Sequence, residues 1–98
     1  HSRIKGENRD YIVDFLINLK GIRIVIEATN QRHKSQLGLY NKSLDLRKRA
    51  EDIKSKNNYK FVCILNRKHC IEGVHKLLEV YDCVLTNENI SNVTSSLP

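Results

Sequence analysis

The sequence predicts a small α/β domain built on a mixed β-sheet, and three observations support this. The 98 residues are 40% hydrophobic and 29% charged, which is typical of one globular domain. Short β-rich runs alternate with segments of helical periodicity in the order ββαβαβ. Two successive crossovers place the later strands in parallel, with helices packed on the faces of the sheet. No apolar run approaches the roughly 18 residues of a membrane-spanning helix, and no signal peptide is recognisable, so we expect no membrane partner.

A β-hairpin opens the predicted fold. Residues Tyr11–Leu19 are rich in β-formers and residues Ile22–Ile26 alternate, with Lys20 and Gly21 between them as a two-residue turn. The following segment, Thr29–Gly38, is polar and ends in glycine, which predicts a loop.

A basic helix and a second α/β step complete the predicted order. Apolar and long side chains recur at three- to four-residue spacing from about Leu39 to Lys56, which predicts a helix. The face expected to be buried consists of Tyr40, Leu44, Arg47, Ala50 and Ile53. Tyr59–Leu65 is a continuous apolar run, as in a strand buried on both faces. A helix over Ile71–Tyr81 and a short strand over Asp82–Leu85 follow.

The ends of the chain differ in character from its centre. The sequence starts with His1 and Ser2 rather than Met, so we expect residues 1–8 to be a tag remnant and a lead-in. Residues 9–87 are expected to form the domain, cut from a larger protein, and residues 88–98 a polar C-terminal tail.

Charge and cysteine content indicate the class of partner and the compartment. The net charge is +6, and residues 31–70 alone carry eleven basic and three acidic groups. A positive field on one segment favours nucleic acid as the partner, although a solvated basic helix face would give the same pattern. Three unclustered cysteines, Cys63, Cys70 and Cys83, indicate a reducing, intracellular location.

Two acids stand among the apolar residues of the hairpin. Continuing the pairing of Leu19 with Ile22 places Asp14 directly opposite Glu27. Opposed carboxylates repel one another unless a divalent cation or a shared proton resolves the conflict, and Mg²⁺ is commonly held by such groups. The alternative is that nearby groups satisfy each acid separately. Those groups are backbone N–H groups, Arg9 or Arg23 for Asp14, and Arg32 or Lys34 for Glu27.

This arrangement resembles the core of the PD-(D/E)XK nuclease superfamily, which has a restriction-endonuclease-like fold. An acid in a first apolar strand, at Val13-Asp14-Phe15, is followed by a hairpin and by a strand that ends in Ile26-Glu27. A helix and a further strand follow, as in that core. The resemblance implies a restriction-endonuclease-like α/β fold.

Within the superfamily, residues 11–66 look most like the very-short-patch-repair-like nucleases and the related RAP domains. His33 lies six residues after Glu27, and Asp45 and Arg47 fall in the expected helix.

The resemblance implies a metal-dependent endonuclease-like domain that hydrolyses phosphodiesters. Asp14 and Glu27 would bind Mg²⁺ or Mn²⁺, and together with His33 and Lys34 they would form the catalytic set. Nucleic acid, DNA before RNA, would be held by the basic loop and helix, and a homodimer or other domains of the parent protein are further implied partners. The residues implied to contact nucleic acid are Arg32, Lys34, Arg47, Lys48 and Arg49.

One departure from the family pattern opens a second hypothesis. The Lys that the family carries two residues after the Glu is Thr29 in this chain, which cannot supply an ammonium group. Lys34, Lys20 or His33 could take its place. If none does, the domain is a catalytically inactive nuclease-fold module that binds nucleic acid or a protein partner.

Overall fold

The computed structural model describes residues 2–31 and 35–86, and it has the α/β architecture predicted from the sequence, with a mixed sheet and two helices. Its elements in chain order are β1 (Ser2–Lys5), β2 (Asp10–Val13), β3 (Phe15–Leu19), β4 (Ile22–Gln31), α1 (Gln36–Lys54), β5 (Lys60–Arg67), α2 (Ile71–Leu78) and β6 (Cys83–Leu85). The expected tail, residues 88–98, and His1 lie outside the described residues.

The main sheet has the strand order β3-β4-β5-β6. Strands β3 and β4 are antiparallel, and β4, β5 and β6 are mutually parallel. The turn between β3 and β4 is formed by Lys20 at φ 53° and Gly21 at φ 83°, the two positive values that a type I′ hairpin turn requires. The predicted register is confirmed, with Leu19 paired to Ile22.

The prediction of one continuous strand over Tyr11–Leu19 is wrong. The chain breaks at Asp14, so that β2 pairs with β1 and only β3 pairs with β4. Strand β1 lies in the segment expected to be a lead-in, and it buries Ile4. The strand has one apolar residue in four, too weak a signal for period-two patterning to detect.

Both helices pack on one face of the main sheet, and not on opposite faces. They contact each other, as expected when two right-handed crossovers proceed in the same direction across a sheet. The core between the helices and the sheet includes Leu46 and Leu77 from the helices and Val25, Phe61 and Leu65 from the strands.

The buried face of α1 differs from the predicted one in the first half of the helix and agrees with it at Ala50 and Ile53. The fully buried positions are Leu39, Ser43, Leu46, Ala50 and Ile53, and the predicted Tyr40, Leu44 and Arg47 are half-buried. The hydrophobic periodicity did not place the polar Ser43 on the buried face. Its hydroxyl donates to the Leu39 carbonyl oxygen at 3.1 Å, and this hydrogen bond makes its burial possible.

The predicted loop Thr29–Gly38 is shorter than expected. Strand β4 continues to Gln31 because it pairs with β5 along its whole length from Ile24. Helix α1 begins at Gln36, since the Ser35 side chain accepts a hydrogen bond from the Gly38 N–H at 3.0 Å and caps the helix.

Helices α1 and α2 approach most closely at Ser43 and Gly73. A Cβ atom on Gly73 would lie 2.5 Å from the Ser43 Oγ and 2.9 Å from its Cβ. Gly73 is therefore required for this helix contact.

We expect Gly73→Ala to destabilise the protein by about 1–3 kcal/mol, because an extra methyl in a packed contact forces a shift. Helix propensity alone predicts the opposite change, an increase in the free energy of unfolding of about 1 kcal/mol. Urea denaturation distinguishes the two, and the double variant Ser43→Gly/Gly73→Ala should recover stability. A stabilised Gly73→Ala variant would contradict the close contact.

The β1–β2 hairpin is held to the end of α1 by Asp52. Its carboxylate accepts hydrogen bonds from the Asn8 backbone N–H at 3.1 Å and from the Asn8 side-chain amide. Although burial by itself raises the pKa of Asp52, hydrogen bonds from Tyr11 and Asn8 outweigh it and hold the pKa below its ordinary value. The ionised carboxylate therefore stabilises the folded hairpin above pH ~4, the usual range for an aspartate, and this contribution is lost as the pH falls through the lowered pKa.

We expect Asp52→Asn to loosen the β1–β2 hairpin while leaving the main sheet intact. In hydrogen exchange monitored by NMR at pH 7, the amides of Ile4 and Tyr11 should lose protection, and those of Phe61 should not. Asp45→Asn, on an exposed side of the same helix, is the matched control. Equal protection of both hairpin amides in wild type and Asp52→Asn would show that Asp52 does not hold the hairpin to α1.

Candidate functional site

The structure brings Asp14 and Glu27 together where the chain passes from the small sheet to the main sheet. The Asp14 N–H donates to Glu27 Oε1 at 3.2 Å, and the Ala28 N–H donates to Asp14 Oδ2 at 2.8 Å. The Glu27 carboxylate thus accepts a hydrogen bond from the backbone of Asp14, and the Asp14 carboxylate accepts one from the residue that follows Glu27. The exchange continues the β3–β4 pairing through the side chains where Asp14 has left the strand.

Glu27 is a buried acid on the helix side of the sheet. Its exposed fraction is 6%, and its neighbour in β5 is Cys63. Burial raises the pKa of Glu27 above its ordinary value, and the nearby positive charge of Arg49 partly offsets this. Burial together with the neighbouring Glu27 raises the pKa of the Cys63 thiol to about 12, so this cysteine is not a nucleophile.

The cation that faces Glu27 comes from α1. Arg49 Nη2 lies 3.5 Å from Glu27 Oε2 and donates to the Ile12 carbonyl oxygen at 2.7 Å. The guanidinium also lies over the ring of Tyr11, 5.6 Å from its centroid. Strand β2 therefore positions Arg49 beside the acidic pair.

Thr29 follows Glu27 by two residues and lies on the same side of β4. Its side chain offers no positive charge to the site. Among the described residues, Arg49 lies within ion-pair distance of Glu27 and supplies one, and Lys42 adds a weaker effect. The sequence placed Arg49 only among the nucleic-acid contacts. The signal that could have identified it is weak, because one arginine in a run of three basic residues is not distinguished by spacing.

The basic residues predicted to contact nucleic acid are separated by the fold. Arg47 forms ion pairs with Glu51 at 3.3 Å and with Glu79 of α2 at 3.0 Å, so it bridges the two helices. Lys48 is exposed, and Arg49 points toward Glu27. The other predicted site residues, Arg32, His33 and Lys34, lie outside the described residues.

The donor set of Asp14 and Glu27 fits Mg²⁺ or Mn²⁺. Such ions are commonly held by one or two carboxylates, with water completing an octahedral shell. Within residues 2–31 and 35–86 no cluster of three or more His, Cys, Asp and Glu side chains could hold a metal ion. A metal ion at this position would therefore have at most two carboxylate ligands from the described part of the chain.

A cavity of about 720 Å³ lies between the β1–β2 hairpin and α1. Arg49 and Tyr11 line it, whereas Asp14 and Glu27 do not. Its wall mixes acids and bases, namely Glu7, Arg9, Asp45, Lys48, Glu51 and Asp52. Arg49 therefore contacts both this cavity and Glu27.

Comparison of the chain with models of protein families, with curated proteins and with solved structures gave no match. No helix in the described part of the chain is long and apolar enough to cross a membrane. Cys63, Cys70 and Cys83 are all free thiols.

The raised pKa of Glu27 predicts how a neutral replacement behaves with pH. Protonated Glu27 tolerates burial, so its contribution to stability is fully present below the ordinary pKa of a glutamate and is lost as the pH rises through the raised value. Glu27→Gln keeps an acceptor for the Asp14 N–H and cannot ionise. We expect its free energy of unfolding, relative to wild type, to increase from pH 4 to pH 7 in urea denaturation.

Removing the positive charge of Arg49 should increase the stability that Glu27→Gln gains over wild type at pH 7. In an Arg49→Met background, the advantage of Glu27→Gln at pH 7 is expected to be greater than in the wild-type background. A relative stability that does not vary with pH in either background would contradict a raised pKa at Glu27.

Proposed function

We propose that this chain is a nuclease-like domain that hydrolyses phosphodiester bonds of DNA or RNA with a divalent cation held by Asp14 and Glu27. The observation that carries the proposal is the reciprocal pair of hydrogen bonds at 3.2 and 2.8 Å, which keeps the two carboxylates side by side. Asp14, directly before β3, and Glu27, in β4, together are a suitable ligand set for Mg²⁺ or Mn²⁺.

A cation at this position would activate a bound water and neutralise charge that develops on the phosphate. The chain's own residues would hold it and keep it in place. Asp14 is fixed by the Ala28 N–H, and Glu27 is fixed by the Asp14 N–H. A backbone N–H group therefore helps to orient each carboxylate.

In PD-(D/E)XK nucleases a lysine supplies positive charge beside the two acids, and Arg49 would supply it in this chain. Its 3.5 Å separation from Glu27 exceeds the 2.7–2.9 Å or so of a strong charge-assisted hydrogen bond. A divalent cation would compete with the guanidinium for Glu27. Arg49 would then be available to stabilise negative charge on the phosphate, which Thr29 cannot do.

The topology supports the proposed restriction-endonuclease-like core. Asp14 lies directly before the antiparallel β3–β4 hairpin, Glu27 lies in its second strand, and α1 then crosses to the parallel strand β5. The chain order of acid, hairpin, acid, helix and strand is the order on which the resemblance rests.

A second candidate is a nuclease-fold module without catalysis that binds nucleic acid. The Arg49–Glu27 ion pair favours it, because it already neutralises the buried carboxylate, and so does Thr29 at the position of the family lysine. In that case Lys48 and the other exposed basic side chains would provide the binding surface.

Metal binding and cleavage distinguish the two candidates. We expect calorimetric titration with Mg²⁺ and Mn²⁺ to show binding to the wild-type chain that weakens at least tenfold in Asp14→Asn and in Glu27→Gln. Nicking of a supercoiled plasmid, or cleavage of a labelled RNA, should fall in parallel. Asp45→Asn is the matched control, because it removes an exposed carboxylate from α1 without touching the pair.

Arg49→Met provides the decisive third variant. If Arg49 acts on the phosphate, this variant should bind the cation at least as tightly as wild type while cleaving at least tenfold more slowly. A wild-type chain that binds no metal at about 10 mM, or cleavage that persists in both acid variants, contradicts the nuclease proposal. Retained nucleic-acid binding without cleavage would support the second candidate.

A further inference from the structure

The main sheet has a second face that no described element of the chain covers. Helices α1 and α2 both lie on the other side, over Val25, Phe61 and Val84. Because side chains alternate along each strand, the residues between these point away from the helices. This outer face consists of Phe15, Ile17, Leu19, Ile22, Ile24, Ile26, Ala28, Asn30, Lys60, Val62, Ile64, Asn66, Cys83 and Leu85.

The outer face is apolar over most of its area. Phe15 and Leu19 are each 57% exposed, Ile22 is 53% exposed and Ile17 is 42% exposed. The apolar residues of β5 and β6 on this face are half-buried. Together the apolar side chains present roughly 600 Å² of accessible surface, at the upper end of what single patches on monomers expose.

The sequence of these strands indicates burial on both sides. Strand β5 reads Lys-Phe-Val-Cys-Ile-Leu, with five consecutive apolar residues, and Ile24, Val25 and Ile26 of β4 are also consecutive apolar residues. Strands that face solvent on one side alternate apolar with polar residues instead. The outer face therefore has the composition of an interface.

The near absence of charge on the outer face favours a second copy of the same chain as its partner. Among the described residues of the sheet, Lys60 is the only charged side chain on this face, and it lies at the start of β5. Two identical faces can thus meet without opposed charges at their centre. The basic helix α1 of each copy would lie on the outside of such a pair, so that the two α1 helices would be roughly 30 Å apart across sheet and helix layers of about 10 Å each. That distance exceeds the Debye length of about 8 Å at physiological salt, so their repulsion is screened.

We propose that two copies of this chain associate through the outer face of the main sheet and form a two-layer β-sandwich flanked by the helices. Two faces of this size bury roughly 1,200 Å² in total, the lower limit of stable specific interfaces. Sheets pack face to face about 10 Å apart, which interdigitated isoleucine and leucine side chains fill. The acidic pair and Arg49 lie on the helix side and remain outside the interface.

Lysine substitutions on the outer face test the proposal in the full chain. We expect sedimentation equilibrium to show a concentration-dependent dimer for wild type, and a dissociation constant at least tenfold higher for Ile17→Lys and Ile22→Lys. Leu37→Lys and Leu78→Lys are matched controls, since these residues are 68% and 50% exposed on the helices. The controls should dimerise as wild type does.

A second measurement needs no variant. Cys83 lies on the outer face, whereas Cys63 and Cys70 are buried in the protomer. Labelling of Cys83 by a maleimide, located by mass spectrometry, should slow as the protein concentration rises through the dissociation constant.

Three results would overturn the proposal. A wild-type chain that stays monomeric up to about 500 μM lacks the dimer altogether, which would leave the face to a different partner. A dimer that Ile17→Lys and Ile22→Lys leave intact uses another surface. Equal weakening by the two helix controls would show a non-specific effect of added charge.

Discussion

The reciprocal hydrogen bonds between Asp14 and Glu27 are the constraint on which the rest of the structure depends. They form where the chain leaves the β1–β2 hairpin and enters the main sheet, so the two sheets share a junction whose geometry is fixed by two side chains. Because Asp14 has left the strand, the backbone beside it needs a partner, and Glu27 provides one. The change of direction then allows β2 to bury Tyr11 and Val13 against α1.

The junction also determines where positive charge is placed. Strand β2 presents the Ile12 carbonyl oxygen to Arg49, and this hydrogen bond at 2.7 Å holds the guanidinium within 3.5 Å of Glu27. A buried carboxylate without a cation would be costly, so the hairpin, α1 and β4 depend on each other through one charge. The same arrangement makes Arg49 a structural residue in the metal-free chain and a candidate for phosphate stabilisation.

Local sequence rules predicted the parts of this fold that local forces decide. The Lys20-Gly21 turn fixed the β3–β4 register, since a two-residue turn permits only one pairing of the flanking residues. The break at Asp14 could not be predicted in the same way, because the strand-like run on both sides hides it. The buried face of α1 depends on a contact with Gly73, about 30 residues away in the sequence, which periodicity cannot detect. Arg49 was assigned to nucleic acid because its ion pair with Glu27 exists only in three dimensions.

Glu27 costs stability that a neutral residue at the junction would not cost. A glutamine in its place would accept the same hydrogen bond from Asp14 without the cost of a buried charge, and replacing buried ion pairs by neutral groups is often neutral or stabilising. Burial raises the pKa of Glu27 even with Arg49 nearby, so the ion pair does not fully compensate for the lost hydration. In the proposed function this cost has a use, because Glu27 and Asp14 together would bind a divalent cation. Arg49 would neutralise the charge of Glu27 in the absence of that cation.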